Sequence, residues 1–309
     1  MNLNPSTQIN LFEHKEIFNQ LYKLYKNDNL PNKILLSGEK GIGKSTLAYH
    51  LINFVLSENE EHPYDYENNK INPDNKSYKL ILNKSNPNFY LIDVLEEKKN
   101  IDINQIRELI INLNKSSFNN KKRFVLIDNI ELLNLNSINA LLKILEEPNE
   151  NINFILINNN KKVLPTLKSR CLNFKVFLTK DQSVKIINEL LNDDINNVIN
   201  RELLDNYITP GKILKIIKIS QEYKFNLFDF DLKTTLNTII KDKLYKKDKS
   251  ISEIIYSLIE LYFRNNISIK NISLLKSYRY FLKKIINTKI YNLDEETLFM
   301  EFNDKILNG

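Results

Sequence analysis

The chain carries a single cysteine, Cys171, no tryptophan and only five glycines in 309 residues. One thiol excludes an internal disulfide framework and any multi-cysteine zinc site. The three histidines, His14, His50 and His62, are scattered with no second ligand at metal spacing. They read as structural or surface residues. No apolar run approaches the ~20 residues needed to cross a bilayer. The N-terminus, with Asn2, Asn4 and Gln8, lacks the charged head and apolar core of a signal peptide. A cytoplasmic protein without membrane contact is the expectation. Neither sign of charge dominates: 44 Lys and Arg stand against 38 Asp and Glu, a net +6. That excess fits a polyanionic partner, or equally a general richness in Asn, Ile and Lys, since no basic cluster stands out. With 42% hydrophobic residues, a chain of this length can bury the cores of two or three domains.

The first 178 residues or so alternate short β-like runs with helical patterns, which predicts a parallel α/β sheet flanked by helices. Strands are expected at Lys33–Ser37 (KILLS), Phe89–Val94 (FYLIDV), Arg123–Asp128 (RFVLID) and Asn153–Ile157 (NFILI). The last two are continuous apolar runs, as central strands buried on both faces require. Helices are expected at Ser45–Leu56, Ile103–Leu113 and Ser137–Glu147, the last stopped by Pro148. Residues 58–80 are polar and read as a long surface excursion. From Thr179 onward the pattern is helix after helix. Helices are expected at Asp181–Asn192 and Ile195–Asn206, and Thr209-Pro210-Gly211 is a turn that starts another. Stripes such as Ile251, Ile254, Ile255, Leu258 and Ile259, then Tyr278, Phe281, Leu282, Ile285 and Ile286, suit either an ordinary helical core or a bundle packing against relatives.

Gly38-Glu39-Lys40-Gly41-Ile42-Gly43-Lys44-Ser45 fits the phosphate-loop pattern G-x-x-x-x-G-K-[ST] in full. It follows an expected strand and opens an expected helix, the context the mechanism needs. Gly38, Gly41 and Gly43 let backbone N–H groups converge on phosphate oxygens at a helix N-terminus. Lys44 reaches for the β- and γ-phosphates, the Ser45 hydroxyl for Mg²⁺, and Thr46 follows at the start of the helix. Asp128 ends an apolar strand, where a carboxylate holds Mg²⁺ through its water shell. The residue after it is Asn129. ATPases of this fold usually place there a glutamate that orients the attacking water, and an amide cannot accept a proton. Glu131, two residues on, is expected to point elsewhere and cap the next helix. The site favours binding of ATP with Mg²⁺ over its hydrolysis.

Three further segments carry a resemblance. Ile101–Ile111 (IDINQIRELII), Ser137–Pro148 (SINALLKILEEP) and Leu167–Cys171 (LKSRC) stand in order around the phosphate loop. They resemble the corresponding segments of bacterial clamp-loader subunits, members of the AAA+ clamp-loader family, over about the first 220 residues. The resemblance implies an AAA+ P-loop domain over 1–178, a small helical lid domain over 179–222 and an all-α collar domain over 223–309. Within the family, Asn129, Gly211 in place of an arginine that senses nucleotide, and the lack of a long Pro-rich extension after residue 309 favour the non-hydrolysing delta-prime class over the gamma/tau class. The intact phosphate loop is a departure, because some of that class have lost it. The four-cysteine module that many relatives insert after the first helix is missing, so no zinc is expected.

The same resemblance implies roles. Arg170 in Ser169-Arg170-Cys171 would enter a neighbouring subunit's ATP site as an arginine finger in trans. Asn158, with Asn159 as its alternative, lies where relatives sense the γ-phosphate. Cys171 reads as a packing residue. Implied partners are the gamma/tau and delta subunits, the sliding clamp (beta), and primer-template DNA held through its phosphate backbone. Two other readings are a gamma/tau-like ATPase in which another acid replaces the missing glutamate, and an unrelated P-loop kinase. The kinase needs neither the Ser137–Glu147 helix nor the Ser-Arg-Cys segment.

Overall fold

In the computed structural model, residues 3–95, 98, 100–115, 121–146, 151–204, 209–248, 250–267 and 272–309 are described. The described residues up to Ile186 form one compact unit, and Ile187–Gly309 forms a second.

The first unit is built on five parallel strands: β1 (Lys33–Ser37), β2 (Phe89–Ile92), β3 (Arg123–Ile127), β4 (Ile152–Asn158) and β5 (Leu172–Lys175). Their order across the sheet is β2-β3-β4-β1-β5. The two runs read as central strands are central, and every residue of β3 and β4 is buried. Each fully buried aliphatic side chain there stabilises the fold by about 1.5–3 kcal/mol. Helices α1 (Lys15–Lys26), α2 (Lys44–Ser57), α3 (Lys76–Leu82), α4 (Ile103–Leu113), α5 (Leu135–Glu146) and α6 (Pro165–Lys168) complete the alternation, and α7 (Lys180–Leu191) begins in this unit and ends in the second. An Asp102–Gln105 capping box starts α4, and its apolar stripe, Ile106, Leu109 and Leu113, buries itself in one core with Val125, Leu141 and Phe154. This is the parallel α/β architecture that the alternation predicts. The end of α5 that the sequence assigns to Glu147 and Pro148 lies outside the described residues.

Residues 58–80 lie partly at the surface, as expected from their polarity, but are anchored to the core at several points. Tyr64, Ile71 and Tyr78 are buried. Tyr66 stacks on Tyr22 of α1 with centroids 3.9 Å apart, and Tyr64 packs on Phe18 and Phe54. His50 receives the segment by bonding the Tyr64 hydroxyl at 2.8 Å. A few well-spaced aromatic rings anchor a segment whose mean polarity suggests solvent. Among the described residues, no cluster of His, Cys, Asp or Glu suited to a metal occurs.

The second unit is helical: α8 (Pro210–Tyr223), α9 (Leu232–Lys241), α10 (Leu244–Lys247), α11 (Ser250–Asn266), α12 (Ile272–Tyr291) and α13 (Glu295–Phe302). The expected turn at Thr209-Pro210 does start a helix, with Pro210 at its first position. Ile251, Ile254, Ile255, Leu258 and Ile259 are all buried in α11, and Phe302 packs edge to face on both Phe263 and Phe281. On α12, Ile286 and Ile290 face outward. The helix expected over Ile195–Asn206 is replaced, among the described residues, by two tight 3-10 turns, Ile195–Asn197 and Arg201–Leu203. Asp194 and Asn200 accept the backbone N–H two residues on, a local bond that competes with helix formation. No helix among the described residues is long and apolar enough to cross a membrane.

Candidate functional site

In a parallel sheet all strands end on one rim, so the loops there collect side chains from distant sequence. The phosphate loop leaves β1 and enters α2. Gly41 and Gly43 both take left-handed backbone angles, φ 89° and 93°, which a side chain would strain. Gly38 is required for space: a Cβ there would lie 2.2 Å from the Val176 carbonyl oxygen. The Lys44 ammonium is folded across the loop, donating to the Gly38 carbonyl at 3.0 Å and the Glu39 carbonyl at 2.5 Å. Burial pushes Lys44 down to about 8, against the pull of Asp128, Glu131 and Glu39. Ser45, the second residue of α2, donates to Asp128 Oδ2 at 2.6 Å, and Thr46 lies one residue further along. Burial also raises the Asp128 carboxyl, with the charge of Asp93 adding to the effect.

The donor set fits a magnesium-bound triphosphate. Ser45 and Asp128, one hydroxyl and one carboxylate already in contact, are the pair that would hold Mg²⁺ through the nucleotide. Lys44, hydrogen-bonded here to two loop carbonyls, carries the positive charge that would pair with a phosphate.

Asn129 adopts a left-handed conformation, φ 55° and ψ 47°, which turns its side chain between neighbouring strand ends. Its Nδ2 donates to Asp93 Oδ1 at 2.8 Å, and its Oδ1 accepts from Asn159 Nδ2 at 2.8 Å. Asn159 also donates to Glu131, from Nδ2 at 2.9 Å and from its backbone N–H at 3.3 Å. Asp93, Asn129, Asn159 and Glu131 thus form one chain across the ends of β2, β3 and β4. The terminal carboxylates can only accept, so the direction of every bond in the chain is set.

Of the residues singled out from sequence, Gly38, Gly41, Gly43, Lys44, Ser45 and Asp128 come together here. Asn158 does not face them: its Nδ2 donates to the Lys161 carbonyl at 3.1 Å, and the Lys161 N–H returns to Asn158 Oδ1 at 3.3 Å. Asn159 reaches the site instead. Glu131 does not cap a helix; the reversal at Asn129 brings it back over β4. Asp93 escaped notice, although a signal was present. Leu91-Ile92-Asp93 repeats Leu126-Ile127-Asp128, and Ile92 pairs with Ile127 in the sheet, so the two acids emerge side by side. His14 was also missed. It is buried against the loop, its Nε2 2.5 Å from the Ile42 carbonyl oxygen.

Arg170 is half-buried after α6. Its guanidinium donates to Glu146 Oε1 at 2.5 Å and to the Thr166 carbonyl at 2.7 Å. Cys171 is half-buried rather than fully enclosed and packs against the core beside Leu167. Burial pushes its thiol up to about 11, which makes it a poor nucleophile.

Comparison with known proteins agrees with the fold. Among the most similar curated proteins, the DNA polymerase III subunit delta' of Pseudomonas aeruginosa is 31% identical over 138 residues, 44% of this chain and 40% of that one. The DNA polymerase III subunit gamma of Buchnera aphidicola subsp. Acyrthosiphon pisum is 31% identical over 153 residues, 48% of this chain and 39% of that one. The subunit delta' of Buchnera aphidicola subsp. Baizongia pistaciae is 29% identical over 217 residues, 66% of this chain and 59% of that one. The matches therefore span about two fifths to three fifths of these relatives' lengths. A solved gamma subunit-related protein from Thermotoga maritima shares the fold, with a TM-score of 0.52 at 20% identity over 91% of this chain and 96% of that one. The family model described as DNA polymerase III, delta subunit matches residues 13–179, more than half of the chain, and the chain belongs to that family.

Proposed function

We propose that the chain is a nucleotide-binding, non-hydrolysing subunit of a clamp loader, of the delta-prime class. It would assemble with gamma/tau and delta subunits to place the sliding clamp on primed DNA. The observation that carries this reading is the contrast within one site. The phosphate loop, Lys44, Ser45 and Asp128 are arranged to hold Mg²⁺·ATP, while the position beside Asp128 holds an amide committed at both ends to Asp93 and Asn159. No carboxylate stands there to take a proton from water.

Asn159, rather than Asn158, is the residue we assign to the γ-phosphate, since it shares the site with Glu131 and Asn129. Arg170 would act on a neighbour's ATP, where a finger of this kind is worth roughly 10³–10⁵ in rate. The division into a P-loop domain (1–178), a lid (179–222) and a collar (223–309) is part of the same proposal, as are DNA contacts through phosphates.

A gamma-like ATPase is the second reading, and one observation favours it: Asp93 and Glu131 place two carboxylates within one side chain of Asn129. Steady-state ATP hydrolysis by the purified chain separates the two. Turnover at background, with Mg²⁺·ATP binding abolished by Lys44→Ala, is the expected result. Robust turnover that Lys44→Ala removes would reassign the chain to the hydrolysing class.

A further inference from the structure

The Ile42–Gly43 peptide of the phosphate loop is one that the backbone alone does not fix. This peptide leads into Gly43, which takes a left-handed φ of 93°. Glycine on the C-terminal side tolerates either orientation of that peptide, because both signs of φ are open to it. In a trans peptide the carbonyl and the N–H point in opposite directions. Whatever holds the Ile42 carbonyl therefore also aims the Gly43 N–H.

His14 holds it. The imidazole Nε2 lies 2.5 Å from the Ile42 oxygen. A carbonyl only accepts, so Nε2 carries the proton. The ring also lies close to Gly43: a Cβ there would meet Nε2 at 3.2 Å and Cδ2 at 3.4 Å. The Ile42 side chain is fixed from the other direction, since a Cβ on Gly38 would meet its Cδ1 at 2.7 Å. His14 itself is placed by a rigid turn. Glu13 before it takes φ 54° and pairs with Lys185 at 2.6 Å, and the His14 carbonyl accepts from Phe18 in the first turn of α1. The phosphate-loop pattern itself contains no such residue; the imidazole comes from an element 28 positions upstream.

We propose that His14 is a positioning residue for the triphosphate: it locks the Ile42–Gly43 peptide with its carbonyl inward, so that the Gly43 N–H is directed at phosphate before ligand arrives. This rests on the nucleotide-binding reading above. The gain is preorganisation, since a loop already in its bound conformation loses less entropy on binding.

Titration calorimetry of the full chain with Mg²⁺·ATP, and with inorganic tripolyphosphate as a phosphate-only probe, tests it. His14→Leu fills the space without a donor. His14→Gln keeps an N–H donor near the place of Nε2, and His14→Asn keeps an amide too short to reach. The expected result is about tenfold weaker binding of both ligands by His14→Leu and His14→Asn, the scale implied by loss of one buried hydrogen bond. His14→Gln should stay within about threefold of the parent chain. Equal affinities for His14→Gln and His14→Asn, whether both weak or both unchanged, overturn the proposal, as does unchanged binding by a folded His14→Leu. Failure of the parent chain to bind either ligand is a different result. It removes the nucleotide reading and this inference with it.

Discussion

Asn129 donates its side-chain N–H to Asp93 Oδ1 at 2.8 Å. A glutamate at position 129 would replace this donor with a carboxylate close to that of Asp93 and would leave Asn159 with a changed partner. Replacing the amide is therefore not a simple restoration of a missing catalytic group. Asn129→Glu is expected to leave ATP hydrolysis at background and to destabilise the chain by about 1–3 kcal/mol, read as a melting point lower by a few degrees. Asp93→Asn in the same chain should recover most of that loss. A melting point unaffected by Asn129→Glu would show that the bond contributes nothing.

Lys44 gives a pH signature. Its ordinary value in an unfolded chain is ~10.4, and burial brings it to about 8. Between those values the unfolded chain holds the extra proton. The contribution of Lys44 to stability is thus absent below pH 8 and grows as pH rises toward ~10.4. A bound triphosphate favours the ammonium and reverses the shift. Binding of Mg²⁺·ATP at pH 8 to 8.5 should take up protons, seen by calorimetry in buffers of different ionisation heat, and affinity should fall at higher pH. Equal apparent binding heats in all buffers would exclude the uptake.

Much of this was legible in the sequence, for reasons tied to particular residues. The runs RFVLI and NFILI read as central strands because, after Arg123 and Asn153 at their starts, no polar residue interrupts either face. The loop from Gly38 to Ser45 announced itself through its spacing. What stayed hidden depends on the third dimension. Leu172–Lys175 has no apolar run to mark it as β5, since it lies at the sheet edge with Leu172 exposed. The choice between Asn158 and Asn159 turned on which side chain the next turn captures, and Lys161 captures the first. His14 looked isolated because its partner is a backbone carbonyl, which leaves no mark in sequence.

Arg170→Ala should leave the fold intact. The pair with Glu146 is partly exposed on both sides, and such pairs are worth ~1 kcal/mol or less. In a loader reconstituted with gamma/tau and delta subunits, however, the DNA-stimulated ATPase should fall, with the site served by this arginine slowed by roughly 10³-fold or more. Arg170→Lys should not rescue it, because an ammonium lacks the planar fork. An undiminished rate for Arg170→Ala would remove the finger role.

Glu301 of α13 accepts from Lys284, from Lys305 at 2.7 Å and from the Tyr280 hydroxyl at 2.8 Å. These bonds, led by Lys284, hold its carboxyl down at about 2. Its stabilising contribution is fully present above the unfolded value of ~4.3 and is lost as pH falls from there through about 2. Glu301→Gln should cost about 1 kcal/mol at neutral pH and flatten the loss of stability between pH 5 and 2. Melting curves across that range would show it, and identical slopes for the two chains would exclude the effect.

The middle of the sheet cannot be built in the order in which the chain is made. β1 pairs with β4 and β5, Lys33 lying beside Phe154 and Ile34 beside Leu172. A ribosome adding about 5–20 residues per second leaves KILLS exposed, with both edges open, for on the order of ten seconds before either neighbour emerges. During synthesis this stretch is a sticky ribbon awaiting its mates. Chaperone capture of nascent chains whose Lys33–Ser37 segment has left the exit tunnel but which end before Ile152, and its disappearance once Lys175 has also cleared the tunnel, is what such a topology entails.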